Sequence, residues 1–212
     1  MIGQTEPHYN IVEIFESLQG EGANTGMPSV FVRFGKCNLA CPWCDTNYNQ
    51  FERWSLSEIV QKVQSFQARN VIITGGEPTI VPQLELLLNE LKRLGYFLAI
   101  ETNGLKTIPP QIDYIATSPK RLYAHKYQQR CIAHADEVRI VVDEADEKIS
   151  NLDFCTLIEQ KINARYYFLS PCEQNGQMNL LKTIELLGQL NQRPNKPKWL
   201  LSVQTHKLIG IE

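Results

Sequence analysis

The sequence predicts an α/β fold with a mostly parallel sheet, arranged as a partial, truncated β/α barrel of about six strands. Three observations lead there. Strand-like and helix-like stretches alternate along the chain. At 212 residues the chain is shorter than the roughly 250 of a full eight-unit barrel. The notable polar runs follow the predicted strands, at the carboxyl ends where such sheets gather ligands.

Tyr9 to Phe15 and Val30 to Phe34 read as strands, and a cysteine-rich loop follows the second. Leu56, Ile59, Val60, Val63 and Phe66 share one helical face, with Ser55 or Ser57 as the cap. Val71 to Thr74 is a short apolar run ending in Gly75-Gly76, as expected of a buried parallel strand. Leu84, Leu87, Leu88, Leu91 and Leu94 mark a helix that stops at Gly95. Phe97 to Glu101 is a further core strand, ending in Thr102-Asn103-Gly104. Leu105 to Ile112, with Pro109-Pro110, is too short and broken for a crossover helix. Tyr114 to Thr117, Val138 to Val142 and Tyr166 to Leu169 continue the strands. Leu180, Leu181, Ile184, Leu187 and Leu190 mark a last helix, and Trp199 to Val203 closes the pattern.

The composition, 43% hydrophobic, suffices for one good core, so a single domain over residues 1–212 is expected. The formal net charge is −2 with no long basic run. That argues against broad nucleic-acid binding and gives no sign of membrane attachment. The N-terminus reads as no signal peptide and no apolar stretch is long enough to span a bilayer, so a cytoplasmic protein is expected. Clustered cysteines there are more often metal ligands than disulfides.

Cys37, Cys41 and Cys44 form a C-x3-C-x2-C pattern that can bring three thiolates to one metal centre. A structural zinc ion wants four ligands, and the distant Cys131, Cys155, Cys172 or a histidine would have to supply the fourth. Three cysteines on a [4Fe-4S] cluster leave one iron open to bind and activate a small molecule. The cysteine run alone permits both readings.

Followed by Thr74-Gly75-Gly76-Glu77-Pro78, the cysteine run resembles that of radical S-adenosylmethionine (SAM) enzymes. The resemblance implies a [4Fe-4S] cluster on the three cysteines, SAM on the open iron, and glycines that let the backbone approach the methionine moiety. Further motifs narrow it. Leu18-Gln19-Gly20-Glu21-Gly22, Val32-Arg33-Phe34, Cys44-Asp45-Thr46, Thr117-Ser118-Pro119-Lys120 and Gln204-Thr205-His206-Lys207 resemble the 7-carboxy-7-deazaguanine synthase family, from about Val12 onward. That family implies a lyase of radical SAM type. It would contract 6-carboxy-5,6,7,8-tetrahydropterin to 7-carboxy-7-deazaguanine with loss of ammonia, on the route to queuosine and other 7-deazapurines. It also implies a homodimer and an external electron donor, a flavodoxin or ferredoxin.

The resemblance assigns roles. Arg33 would hold the substrate carboxylate, because a guanidinium fork matches it bidentately. Leu18, Gln19, Gly20, Glu21, Thr74, Gln204 and the terminal Glu212 would complete the substrate site, with Glu21 and Gln204 reading the pterin edge. Thr46 would be a Mg²⁺ ligand. Trp43, Cys44, Asp45, Gly76, Ser118, Pro119 and Lys120 would bind SAM. Glu101 and Asn103 sit where a ribose hydroxyl is bound or a strand end is capped. Relatives often carry Gln-Pro where this chain has Ser170-Pro171-Cys172, which leaves the adenosine contacts there open. Two other readings stand beside this one: a glycyl-radical-enzyme activase, and a zinc- or cluster-binding sensor without catalysis.

Overall fold

A computed structural model describes residues 6–44, 46–145, 148–174 and 176–211. In chain order its elements are β1 (His8–Leu18), β2 (Pro28–Phe34), β3 (Glu52–Ser55), α1 (Leu56–Gln64), β4 (Asn70–Gly75), α2 (Leu84–Arg93), β5 (Phe97–Thr102) and β6 (Tyr114–Thr117). They continue with α3 (Ala124–Gln129), β7 (His134–Val142), α4 (Asn151–Lys161), β8 (Asn163–Pro171), β9 (Glu173–Gln174), β10 (Gln177–Met178), α5 (Leu180–Asn191), β11 (Trp199–Leu201) and α6 (Thr205–Ile209).

Nine strands form one open sheet in the order β11-β8-β7-β6-β5-β4-β2-β1-β3. From β2 to β11 the neighbours pair in parallel. β1 pairs antiparallel with both β2 and β3. The sheet does not close, which is the expected partial barrel. The parallel run exceeds the expected six strands only by the short β11.

Alternation along each strand builds both faces. Val30, Val32 and Phe34 of β2, and Val71 and Ile73 of β4, pack against Ile59, Val63, Leu87, Leu88 and Leu91 of α1 and α2. Val138, Ile140 and Val142 of β7, with Tyr167 and Leu169 of β8, pack against Phe154, Ile158 and Leu190 of α4 and α5. The intervening residues, such as Phe31, Arg33, Arg139 and Val141, line a cavity on the other face. Ser55 caps α1 in a reciprocal capping box with Glu58. No regular element crosses between β5 and β6, as the proline pair predicts.

The differences from the sequence reading have physical causes. α3 spans only six residues, too few to show a period. In α4 the apolar residues Leu152, Phe154, Cys155, Leu157 and Ile158 spread around the helix instead of forming a stripe. β3 is a charged edge strand, Glu-Arg-Trp-Ser. α5 forms as expected but buries Thr183, Leu186 and Leu190, leaving Leu181 83% exposed and Ile184 50% exposed. Among the described residues no helix is long and apolar enough to cross a membrane.

Candidate active site

The polar runs at the strand ends converge on one open cavity of about 1410 Å³. Leu18, Gln19, Gly20, Glu21, Arg33, Thr74 and Gln204 line it, as do Trp43, Gly76, Ser118, Lys120, Thr46 and all three of Cys37, Cys41 and Cys44. Pro119 is the exception: it is buried behind Ser118 and Lys120 and does not reach the cavity surface. Asp45 and Glu212 lie outside the described residues.

The cysteine loop is held from several sides. Ala40 N–H donates to Tyr123 Oη at 2.9 Å, and Tyr48 Oη donates to Leu39 O at 3.2 Å. Asn103 Nδ2 donates to Asn38 Oδ1 at 2.7 Å, while Asn103 Oδ1 accepts Leu105 N–H. Asn103 thus ties the β5 end to the cysteine loop as well as capping its own turn. Glu77 is fully buried and binds Thr79, Thr102 Oγ1 and Asn103 N–H, joining the ends of β4 and β5.

The glycine pair has a second purpose besides ligand approach. Gly76 N–H donates to Phe34 O, and Glu77 N–H to Lys36 O. A Cβ on Gly76 would lie 1.9 Å from Lys36 O, and one on Gly75, at φ +134°, 2.1 Å from Phe34 O. The Thr74-to-Pro78 turn is therefore pressed against the strand that leads into Cys37, and only glycine permits that approach.

All three loop cysteines are free thiols on the cavity wall. Burial pushes the Cys37 and Cys41 thiols up from their ordinary value, and Lys120 pulls that of Cys41 the other way. Coordination would deprotonate them outright. Among the described residues no three His, Cys, Asp or Glu side chains are gathered on one point as ligands to a single ion. Three cysteines suit a cluster in which each binds a different iron. Of the candidate fourth zinc ligands, Cys155 lies fully buried in the α4 core with Cys131 packed against the same cluster, whereas Cys172 and His206 line the cavity. The donor set fits the iron–sulfur cluster.

On β2, Arg33 Nε donates to Glu13 Oε1 at 2.6 Å and Nη1 to Thr46 Oγ1 at 3.3 Å. Phe15 and Phe31 stack at 5.0 Å beside it, with the guanidinium 5.9 Å from the Phe15 centroid. Glu101 accepts from Gln19 Nε2 at 2.7 Å and pairs with Arg139 Nη2 at 2.5 Å. Burial alone would raise the Glu101 carboxyl; the Arg139 charge and the Arg139 and Gln19 hydrogen bonds hold it below its ordinary value. Gly20 O accepts both the N–H and the hydroxyl of Thr205, so the last helix seats against the first loop. Ser170 Oγ is buried on the β8 end with no hydrogen-bond partner among the described residues.

Glu13, Tyr48, Tyr123, Glu137 and Arg139 escape the sequence reading. Arg139 gives the same signal as Arg33, an arginine among apolar strand residues, in Val138-Arg139-Ile140-Val141. The two tyrosines act through hydroxyl groups on loop backbone, which no local pattern announces.

Comparison with known proteins agrees with this geometry. The radical SAM superfamily profile matches residues 31–128. A 7-carboxy-7-deazaguanine synthase from Haemophilus influenzae is 74% identical over 98% of this chain and 96% of its own. The chain belongs to the 7-carboxy-7-deazaguanine synthase family. A family member from Neisseria meningitidis is 59% identical over 100% of this chain and 98% of its own. The crystal structure of QueE from Escherichia coli superposes with a TM-score of 0.66 at 26% identity, covering 94% of this chain and 95% of that one. The family brings with it the [4Fe-4S] cluster and SAM that the cysteine wall fits.

Proposed function

We propose that this chain, acting as a single domain, contracts 6-carboxy-5,6,7,8-tetrahydropterin to 7-carboxy-7-deazaguanine with loss of ammonia, in queuosine-type biosynthesis. The observation behind it is the 74% identity to a 7-carboxy-7-deazaguanine synthase across nearly all of both chains. The cavity adds support, since thiols and a carboxylate-matching arginine share one wall.

When bound, the cluster and SAM together supply a 5′-deoxyadenosyl radical by reductive cleavage. Cys37, Cys41 and Cys44 hold the cluster. Trp43, Cys44, Gly76, Ser118 and Lys120 hold SAM, with Asp45 added on family grounds. Lys120 Nζ donates to Ser118 Oγ at 2.7 Å, and both residues line the cavity. Arg33 binds the substrate carboxylate, and Thr46 offers an oxygen ligand to Mg²⁺ beside it. The cation would neighbour a guanidinium, so it needs the carboxylates of Glu13 or the substrate to balance charge. Leu18 to Glu21, Thr74 and Gln204 flank the pterin and shield its reacting centre from water. Glu212 joins them on family grounds.

A homodimer, a cytoplasmic location and a flavodoxin or ferredoxin donor complete the proposal. An activase acts on a protein and has no use for the charged wall around Glu21, Glu101 and Arg139. The test is anaerobic turnover of the carboxypterin with SAM and reductant, read by product mass. SAM cleavage without a deazapurine product would reject the assignment.

A further inference from the structure

Arg139 lines the cavity from β7 with only 4% of its side chain exposed. Its Nη1 donates to Glu21 Oε2 at 2.6 Å, and its Nη2 meets Glu101 Oε2 at 2.5 Å. Its Nε lies 3.0 Å from Glu137 Oε1 but is misaligned for a hydrogen bond. One guanidinium therefore faces three carboxylates. Glu137 is occupied by the fold: it accepts Ala23 N–H at 2.8 Å and the Tyr114 hydroxyl at 3.0 Å, and does not line the cavity. Glu21 and Glu101 do line it.

Gln19 closes the arrangement into a ring. Its Nε2 donates to Glu101 Oε1, and its Oε1 accepts Glu21 N–H at 3.1 Å. An ionised carboxylate has about four acceptor positions. The ring fills two on Glu101 and one on Glu21. Both carboxylates line the cavity with acceptor positions left over from the ring. Such a wall repels carboxylates and phosphates. It accepts a flat edge made of adjacent N–H groups.

We propose that Arg139 is a positioning residue that fixes Glu21 and Glu101 to read the 2-amino and ring N–H donors of the substrate's pyrimidine end. The proposal rests on the function given above. It divides recognition between two arginines with opposite tasks. Arg33 meets an anion directly, whereas Arg139 touches no substrate and presents two anions instead. A carboxylate pairs with neighbouring N–H donors bidentately, which gives direction as well as attraction. A site built around such donors rejects an analogue that lacks one, because its own acceptors are left unpaired.

The experiment follows three quantities: the KM for the carboxypterin substrate, the Kd for SAM, and the preference for that substrate over its analogue lacking the 2-amino group. The variants are Arg139→Gln, Arg139→Lys, Glu21→Gln and Glu101→Gln. Arg139→Gln is expected to raise the substrate KM about 30-fold or more, as for loss of one partner of a buried charge pair. SAM affinity should stay within about twofold, and the preference for the 2-amino substrate should fall about tenfold or more. Lysine should restore part of the preference, since it keeps the charge but lacks the planar fork that holds both carboxylates in one orientation. Equal losses for SAM and substrate in Arg139→Gln would overturn the proposal. If that variant fails to fold, the isosteric glutamine variants decide: an undiminished preference in both overturns it, and a reduced one supports it. A wild-type enzyme that does not turn over the carboxypterin rejects the function itself. A wild type that works, with variants that keep full discrimination, rejects only the role of Arg139.

Discussion

Arg33 Nη1 donates to Thr46 Oγ1 across 3.3 Å, while Nε of the same guanidinium holds Glu13. The two residues assigned separately to the substrate carboxylate and to magnesium are therefore direct neighbours. One ligand carboxylate can lie between them, bound by the fork on one side and by the cation on the other.

Arg33→Ala should weaken substrate binding by about 2–5 kcal/mol, roughly 30- to several-thousand-fold. Lysine should rescue only in part, since it lacks the planar fork. SAM binding should hardly change, because Arg33 contacts Glu13 and Thr46 and not the Ser118–Lys120 pair. Separate titrations with the two ligands check this. Equal losses would make Arg33 a support of the fold.

Thr46→Ala should blunt the response to Mg²⁺ and also raise the substrate KM, because it removes an oxygen that steadies Arg33. Thr46→Ser keeps that oxygen and should restore both. Iron content should be unaffected in either variant. Turnover against Mg²⁺ concentration is the measurement, and an unchanged magnesium dependence in Thr46→Ala would take this residue out of the site.

Gly76→Ala should damage the cluster pole. Its new Cβ meets backbone, the Lys36 carbonyl at 1.9 Å, which cannot rotate away. The expected cost is about 3 kcal/mol or more, with loss of iron and of SAM cleavage. Gly95→Ala meets nothing within 4 Å but sits at φ +82°, so it should cost only about 1 kcal/mol and leave iron content intact. Denaturant midpoints with iron analysis compare the two.

Removing the iron with a chelator should expose Cys37, Cys41 and Cys44 to alkylation, and reconstitution should protect them again. Cys155 should stay unreactive in both states, because it is fully buried and its thiol is pushed well above its ordinary value. Peptide mapping after alkylation gives the pattern. Protection of Cys155 that depends on iron would bring it into the metal site.

Much of this was legible in the sequence because it is local. The Val71–Thr74 run, a serine cap at Ser55 or Ser57 and the C-x3-C-x2-C loop announce themselves within a few residues. The cavity face was legible where alternation is clean, as in Val30 to Phe34. What escaped is either weakly periodic, like α4, or relational. Nothing around Tyr123 says that its hydroxyl will meet Ala40. The stripe read on α5 misled because Leu181 and Ile184 are apolar yet exposed, and apolar character alone does not tell a core face from a surface one.

The seam between Gly20 and Thr205 joins residues 185 apart in the chain. The cysteine loop is different, since it is held by β2, β4 and β5 within residues 28–103 and by Tyr123 soon after. On a ribosome the cysteine loop gains its last hydrogen bond, from Ala40 to Tyr123, once a little more than half the polypeptide has been made. The loop at Gly20 must wait for its contact with α6. The two sides of the cavity thus become complete at different stages of synthesis, the cysteine side before the side that Gly20 and Thr205 join.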